Sequence, residues 1–181
     1  MNKFDILSDI HCDFWVKENA TIDKYKRFIK MHIKPKSEHI IIAGDLAHSR
    51  MNGLKFMEAL KTFYKNIIFV FGNHDLYMNK KEFEEFSSYK EKIIQYKKEL
   101  QNIGIIVLDG ETVEIDGVKI FGCGMWYDFS YMDKFWKNIP DYEIGKLWSD
   151  VMNDANWIKG LKGNTHLESF IKDHERIFGV P

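Results

Sequence analysis

Two cysteines, no long apolar run and no excess charge of either sign characterise this 181-residue sequence. Cys12 and Cys123 are too few for a disulfide framework and lack the spacing of zinc ligands, so they read as reduced thiols of a cytosolic protein. No stretch approaches the roughly 20 apolar residues of a membrane helix. Asp5 and Asp9 interrupt any apolar segment that could serve as a signal peptide. Lys and Arg number 26 against 27 Asp and Glu, for a formal charge of -1 and a pI near 6.7. Global charge therefore gives no support to non-specific binding of nucleic acid or anionic membranes, although it does not exclude a local basic face. No repeat, low-complexity tract or flexible linker is visible. The expectation is a cytoplasmic protein.

Apolar residues make up 45% and aromatic residues 15% of the chain, enough for a sizeable core in one domain spanning residues 1–181. Apolar runs at 4–8, 40–43 and 67–71 read as strands. Between them, Ile22, Tyr25, Phe28 and Ile29 recur at helical spacing before a stop at Pro35, and Leu54, Met57, Leu60 and Phe63 do the same. One longer charged helix should start at the capping box Asn79/Glu82 and end before Gly104. A short strand at 105–108 and a hairpin at 112–121 follow, with Asp116-Gly117 supplying the turn. Residues 147–158 read as helical, and a last helix should run from Thr165 to about Gly179. The order βαβαβ predicts an α/β fold whose first three strands are buried on both faces and gather ligands at their carboxyl ends.

Those carboxyl ends carry the chemistry. The first strand runs into Asp9-Ile10-His11, the second into Gly44-Asp45, and the third into Gly72-Asn73-His74-Asp75. Each motif alone could be an ordinary turn. Their ordered recurrence at three successive strand ends makes coincidence a poor account. Asp9 and His11, two apart and pointing the same way in extended backbone, suit a divalent transition ion. Asp45 has two carboxylate oxygens, one for each of two ions, and Asn73 offers a neutral carbonyl oxygen. Two such ions clamp a phosphoryl group and activate water. His74 could protonate the departing alkoxide, with Asp75 holding its imidazole in the useful tautomer. His48 should line the site, whereas His32 and His39 read as ordinary residues.

The ordered set Asp-x-His, Gly-Asp, Gly-Asn-His-Asp resembles the signature of the calcineurin-like metallophosphoesterase superfamily. Gly122-Cys123-Gly124-Met125-Trp126-Tyr127-Asp128-Phe129 and Met152-Asn153-Asp154 are similar to a bacterial and phage branch of predicted phosphohydrolases. The resemblance implies a four-layer α/β/β/α sandwich, with the hairpin in the second sheet. It implies that Asp9, His11 and Asp45 hold one ion, that Asp45 and Asn73 hold another, and that His74 is the catalytic acid with Asp75 as its orienting partner. The ions would be Mn, Fe, Zn or Ni and the substrate a phosphate ester, with no role for a membrane. The family pattern continues with a strand ending in His and a Gly-His-x-His motif, which do not occur before Pro181. The expectation is thus an N-terminal, C-terminally incomplete portion of the fold, with a weak second ion and an exposed sheet edge open to self-association. Gly163-Asn164-Thr165-His166 imitates the last motif but is expected to open the last helix, and His174 falls within that predicted helix. Two other functions fit the same residues: a silent or partner-completed module that binds a metal or nucleotide, and a nuclease whose aromatics between Trp126 and Trp157 stack bases.

Overall fold

Four parallel strands form the sheet that carries the candidate site. The computed structural model describes residues 3–124 and 139–161. Strands β1 (Phe4–Leu7), β2 (His39–Ala43), β3 (Asn66–Val70) and β4 (Ile106–Val107) lie side by side in that order. Phe4 stands opposite His39, and His39 opposite Asn66, so β1, β2 and β3 finish at one common edge. Between β1 and β2 come α1 (Cys12–Trp15) and α2 (Ile22–Phe28); α3 (Arg50–Leu60) joins β2 to β3. Three helices, α4 (Asn73–Leu76), α5 (Lys80–Glu85) and α6 (Tyr89–Asn102), precede β4.

Both faces of the sheet are covered, which is why its strands are near-continuous apolar runs. Ile40, Ile42, Ile67 and Phe69 pack on one face against Phe56, Leu60, Tyr96 and Leu100 of the helices. The alternate residues Ile41, Ile68 and Val70 meet Val113, Ile115 and Ile120 on the other face. Those last three belong to the hairpin of β5 (Glu111–Ile115) and β6 (Val118–Gly122). Its turn residues Asp116 and Gly117 have φ of 52° and 79°, the left-handed pair that a type I′ turn demands. The described residues thus build helix, sheet and hairpin layers of an α/β fold with a parallel sheet.

Several elements differ from the sequence expectation in detail. The helix before Pro35 continues through a π-turn at Ile29–Ile33, closed by a hydrogen bond from Lys34 N to Ile29 O (3.0 Å). The single charged helix from Asn79 is two helices. Its capping box forms as expected, with Glu82 N donating to Asn79 Oδ1 (3.0 Å) and Asn79 N to Glu82 Oε2 (3.2 Å). At Phe86 the backbone becomes extended, and Ser88 Oγ then accepts from Glu91 N to cap α6. Ser88 takes up a backbone N–H as a cap residue does, Ser87 donates through N and Oγ to Glu91 Oε2 (2.7 Å each), and the Phe86 ring is buried at the bend. The helical stretch at 147–158 begins earlier and is likewise divided, into α7 (Asp141–Val151) and α8 (Asp154–Trp157). Ile158, Ala155 and Trp148 pack beside Leu76, Tyr77, Met78 and Phe86, so this late segment docks next to the strand ends. Among the described residues, no helix is long and apolar enough to cross a membrane. Met125 to Phe129, the helix from Thr165, His166 and His174 lie outside the described residues.

Candidate metal centre

The loops after β1 and β2 are tied backbone to backbone. Asp9 N donates to Gly44 O (3.2 Å), His11 N to Asp45 O (3.0 Å) and Cys12 N to Leu46 O (2.8 Å). The extended geometry expected for Asp9 and His11 does not hold. Asp9, His11 and Asp45 have φ of 53°, 42° and 55°, all in the left-handed region. Such conformations cost of order 1–3 kcal/mol each and persist where surrounding structure enforces them, commonly at functional sites. Here they aim two side chains from one loop and one from the next into a shared space, so the pairing of Asp9 with His11 survives by another route.

Ligand atoms of Asp9, His11 and Asp45 all lie within 4.8 Å of one another. His11 Nε2 stands 4.0 Å from Asp45 Oδ2. That is too long for a hydrogen bond, and short enough for both atoms to reach a single ion at metal–ligand distances of about 2.0–2.2 Å. Among the described residues, His11 Nδ1 is buried without a hydrogen-bond partner. The donor set, one imidazole and two carboxylates, fits a divalent transition ion.

Asp75 is buried and bonded to backbone rather than to the neighbouring imidazole. Its carboxylate is 1% exposed and accepts from four backbone N–H groups: Asp45 (2.8 Å), Leu46 (3.0 Å), Ala47 (3.3 Å) and Gly72 (2.9 Å). None of these bonds reaches His74. The third position of α4 folds the carboxylate back onto Gly72 N at the helix start, away from the neighbouring imidazole. Asp75 therefore clamps the Asp45 loop to the Asn73 turn. Burial pushes its carboxyl up to about 7 against the pull of those N–H groups, and the Asp45 charge adds to the rise.

His48 is the ring partner of His74. His48 Nε2 lies 2.5 Å from His74 Nδ1, a hydrogen bond when either nitrogen carries a proton. Asp13 Oδ2 is 3.8 Å from His48 Nδ1 on the far side. Burial holds the His48 imidazole below its ordinary range, Asp13 opposes this, and the neighbouring His74 and His11 add to the depression. His74 N also donates to Asp45 Oδ1 (3.0 Å), so the turn bearing the imidazole is fixed to the candidate ligand. Buried Lys92 reinforces the arrangement by donating to the carbonyls of His48 (3.1 Å) and Tyr77.

Residues 3–177 match the family model for calcineurin-like phosphoesterases. The chain belongs to the calcineurin-like phosphoesterase family. An uncharacterized protein of Acanthamoeba polyphaga mimivirus is 24% identical over 127 residues, which are 65% of this chain and 45% of that protein. The chain thus spans under half the length of that curated relative. The crystal structure of a phosphopantetheinyl hydrolase from Mycobacterium tuberculosis shares the fold with a TM-score of 0.63 at 16% identity, over 97% of this chain and 60% of that one. Membership supports metal-dependent phosphoester hydrolysis in general, with divalent ions as the family's cofactors.

In this member of the calcineurin-like phosphoesterase family, a cavity of about 460 Å³ opens beside the candidate ligand group, lined by Asp9, Asp45, Gly72, Asn73, Cys123 and Asp154 among others. Asp154 and Tyr77 received no role from the sequence. The only signal for Asp154 was its place in Met152-Asn153-Asp154, which fixes no partner. Gly44 and Gly72 permit the two loops to approach. A Cβ on Gly72 would sit 2.1 Å from Asp45 Oδ1 and 2.6 Å from Asp45 N. Gly72→Ala should therefore displace Asp45 and weaken divalent-ion binding by roughly 10–100-fold, as outer-shell disruptions do. Titration with Mn²⁺ checks this, and unchanged affinity would show that the loop tolerates the shift.

Proposed function

We propose that this chain hydrolyses phosphate monoesters or diesters in a reaction that depends on divalent metal ions. The observation that carries the reading is the convergence of Asp9, His11 and Asp45 within 4.8 Å at the strand ends, with His74 tied to the same Asp45. Asp9, His11 and Asp45 would hold one ion; Asp45 and Asn73 would hold a second. Bound Mn, Fe, Zn or Ni ions supply Lewis acidity to phosphoryl oxygens and lower the pKa of a coordinated water.

The chain's own residues do the rest. His74 delivers a proton to the departing ester oxygen, and His48 sets which of its ring nitrogens is free to do so. Asp75, through its four backbone contacts, keeps the Asp45 loop and the Asn73 turn in register. Fixed geometry of this kind removes orientational freedom before the reaction begins.

Stripping the protein with a chelator and then restoring Mn²⁺ tests the reading. Hydrolysis of a nitrophenyl phosphate monoester or diester should vanish on stripping and return at least about tenfold on restoration. Equal rates with and without metal, or no hydrolysis of either ester by metal-loaded protein, would overturn it.

A further inference from the structure

Asp154 is a carboxylate with little reason to be buried unless it serves the site. It begins α8 and is 3% exposed. Among the described residues it has no cationic partner. Burying an unpaired carboxylate costs free energy unless strong hydrogen bonds or a metal compensate it. Its Oδ1 accepts two hydrogen bonds, from Asn73 Nδ2 (2.8 Å) and from the Tyr77 hydroxyl (2.6 Å). It lines the same cavity as Asp9, Asp45 and Asn73.

We infer that Asp154 is a positioning residue that fixes the side-chain amide of Asn73 with its carbonyl oxygen free for a cation. An amide has one ligating end and one donating end of nearly equal shape. An ionised carboxylate only accepts, so it selects the NH2 end of Asn73. The carbonyl oxygen then remains for the cavity. Without that selection the amide can turn over and present two N–H donors where a ligand is needed. The same Oδ1 also fixes Tyr77, whose ring stacks on His74 at 4.4 Å between centroids and 25° between planes. Tyr77 stacks in turn on Trp157 (6.3 Å, 16°), and Met78 N donates to Trp157 O (3.0 Å). One residue some 80 positions downstream thus orders both a candidate ligand and the ring beneath the candidate acid. The inference deepens the proposed phosphoesterase reading and rests on its assignment of Asn73 to a second ion.

Mn²⁺ titration of the full chain, followed by the paramagnetic resonance of the free ion, tests it. Wild type should bind two ions. Asp154→Leu should weaken the second by roughly 10–100-fold and leave the first within about threefold. Asp154→Asn keeps an acceptor oxygen for both donors and should restore the second ion to within about threefold of wild type. A single ion in wild type, equal weakening of both ions, unchanged binding in Asp154→Leu, or no recovery in Asp154→Asn would each overturn the inference. Should Asp154→Leu fail to fold, Asp154→Ser, whose hydroxyl is too short to reach Asn73, replaces it under the same criteria. Ion binding that follows this pattern without ester hydrolysis would sink the phosphoesterase reading alone. Hydrolysis with unchanged binding in the variants would sink the Asp154 role alone.

Discussion

Asp45→Asn should abolish hydrolysis while leaving the fold intact. Asp45 connects to its surroundings through two separate sets of atoms. Its backbone holds the loop, with N donating to Asp75 and O accepting from His11 N. Its carboxylate faces the site, with Oδ1 accepting from His74 N and Oδ2 4.0 Å from His11 Nε2. Asparagine preserves the first set and the side-chain shape. Its one oxygen will turn toward the His74 N–H, because no other acceptor on that side chain can satisfy that donor. The NH2 group is then left facing His11, where a ligand oxygen is required. Outer-shell partners are worth about 10–100-fold, so a ligand shared by both halves of the site should cost on the order of 10³-fold in turnover. Ion affinity should fall in parallel, and the melting temperature should stay within about 5 °C, as expected for a substitution that leaves backbone contacts in place. Wild-type turnover in Asp45→Asn would remove Asp45 from the mechanism and the phosphoesterase reading with it.

The parts of this fold that were legible in the sequence are those governed by local periodicity. Apolar runs placed β1, β2 and β3, and Asp116-Gly117 placed the hairpin turn, because each depends on a few adjacent residues. The Asp, His and Asn residues at the strand ends were legible for the same reason. Their conformations were not, since left-handed backbone at Asp9 and His11 is imposed by hydrogen bonds to the Gly44–Leu46 loop, which lies over 30 residues away. Adjacency is a poor guide to contact here. Asp75 follows His74 directly, which invites pairing, yet the start of a helix offers its carboxylate better donors among backbone N–H groups. His48 is the opposite case: it is 26 positions from His74 and meets it only because β2 and β3 are neighbours in register. Asp154 depends on the docking of a whole late segment against α4 and α6, and no local pattern encodes that. The split between α5 and α6 has only the weak local signal of Ser87-Ser88, because charged residues resume at Lys90 and the bend lies where the Phe86 ring is buried.

His74→Asn should separate proton delivery from ion binding. General acids contribute about 10²–10⁴-fold, and the benefit grows with the basicity of the leaving oxygen. An alkyl phosphate ester, whose alkoxide departs poorly, should lose that full factor in His74→Asn. A nitrophenyl ester, whose phenolate departs without help, should lose much less. Ion affinity should stay near wild type, because the contact between residue 74 and Asp45 runs through the backbone N–H, which asparagine retains. Asp75→Asn provides the contrast. Its carboxylate touches four backbone N–H groups and no part of the imidazole, so its loss should loosen the Asp45 loop. Both esters should then slow by similar factors, with ion affinity falling alongside. If Asp75→Asn instead reproduces the leaving-group dependence of His74→Asn with ions fully bound, the imidazole is oriented by Asp75 after all, and the short contact with His48 is not what sets its tautomer. If His74→Asn slows both esters equally, His74 is not the proton donor, and the departing oxygen must be assisted by another group.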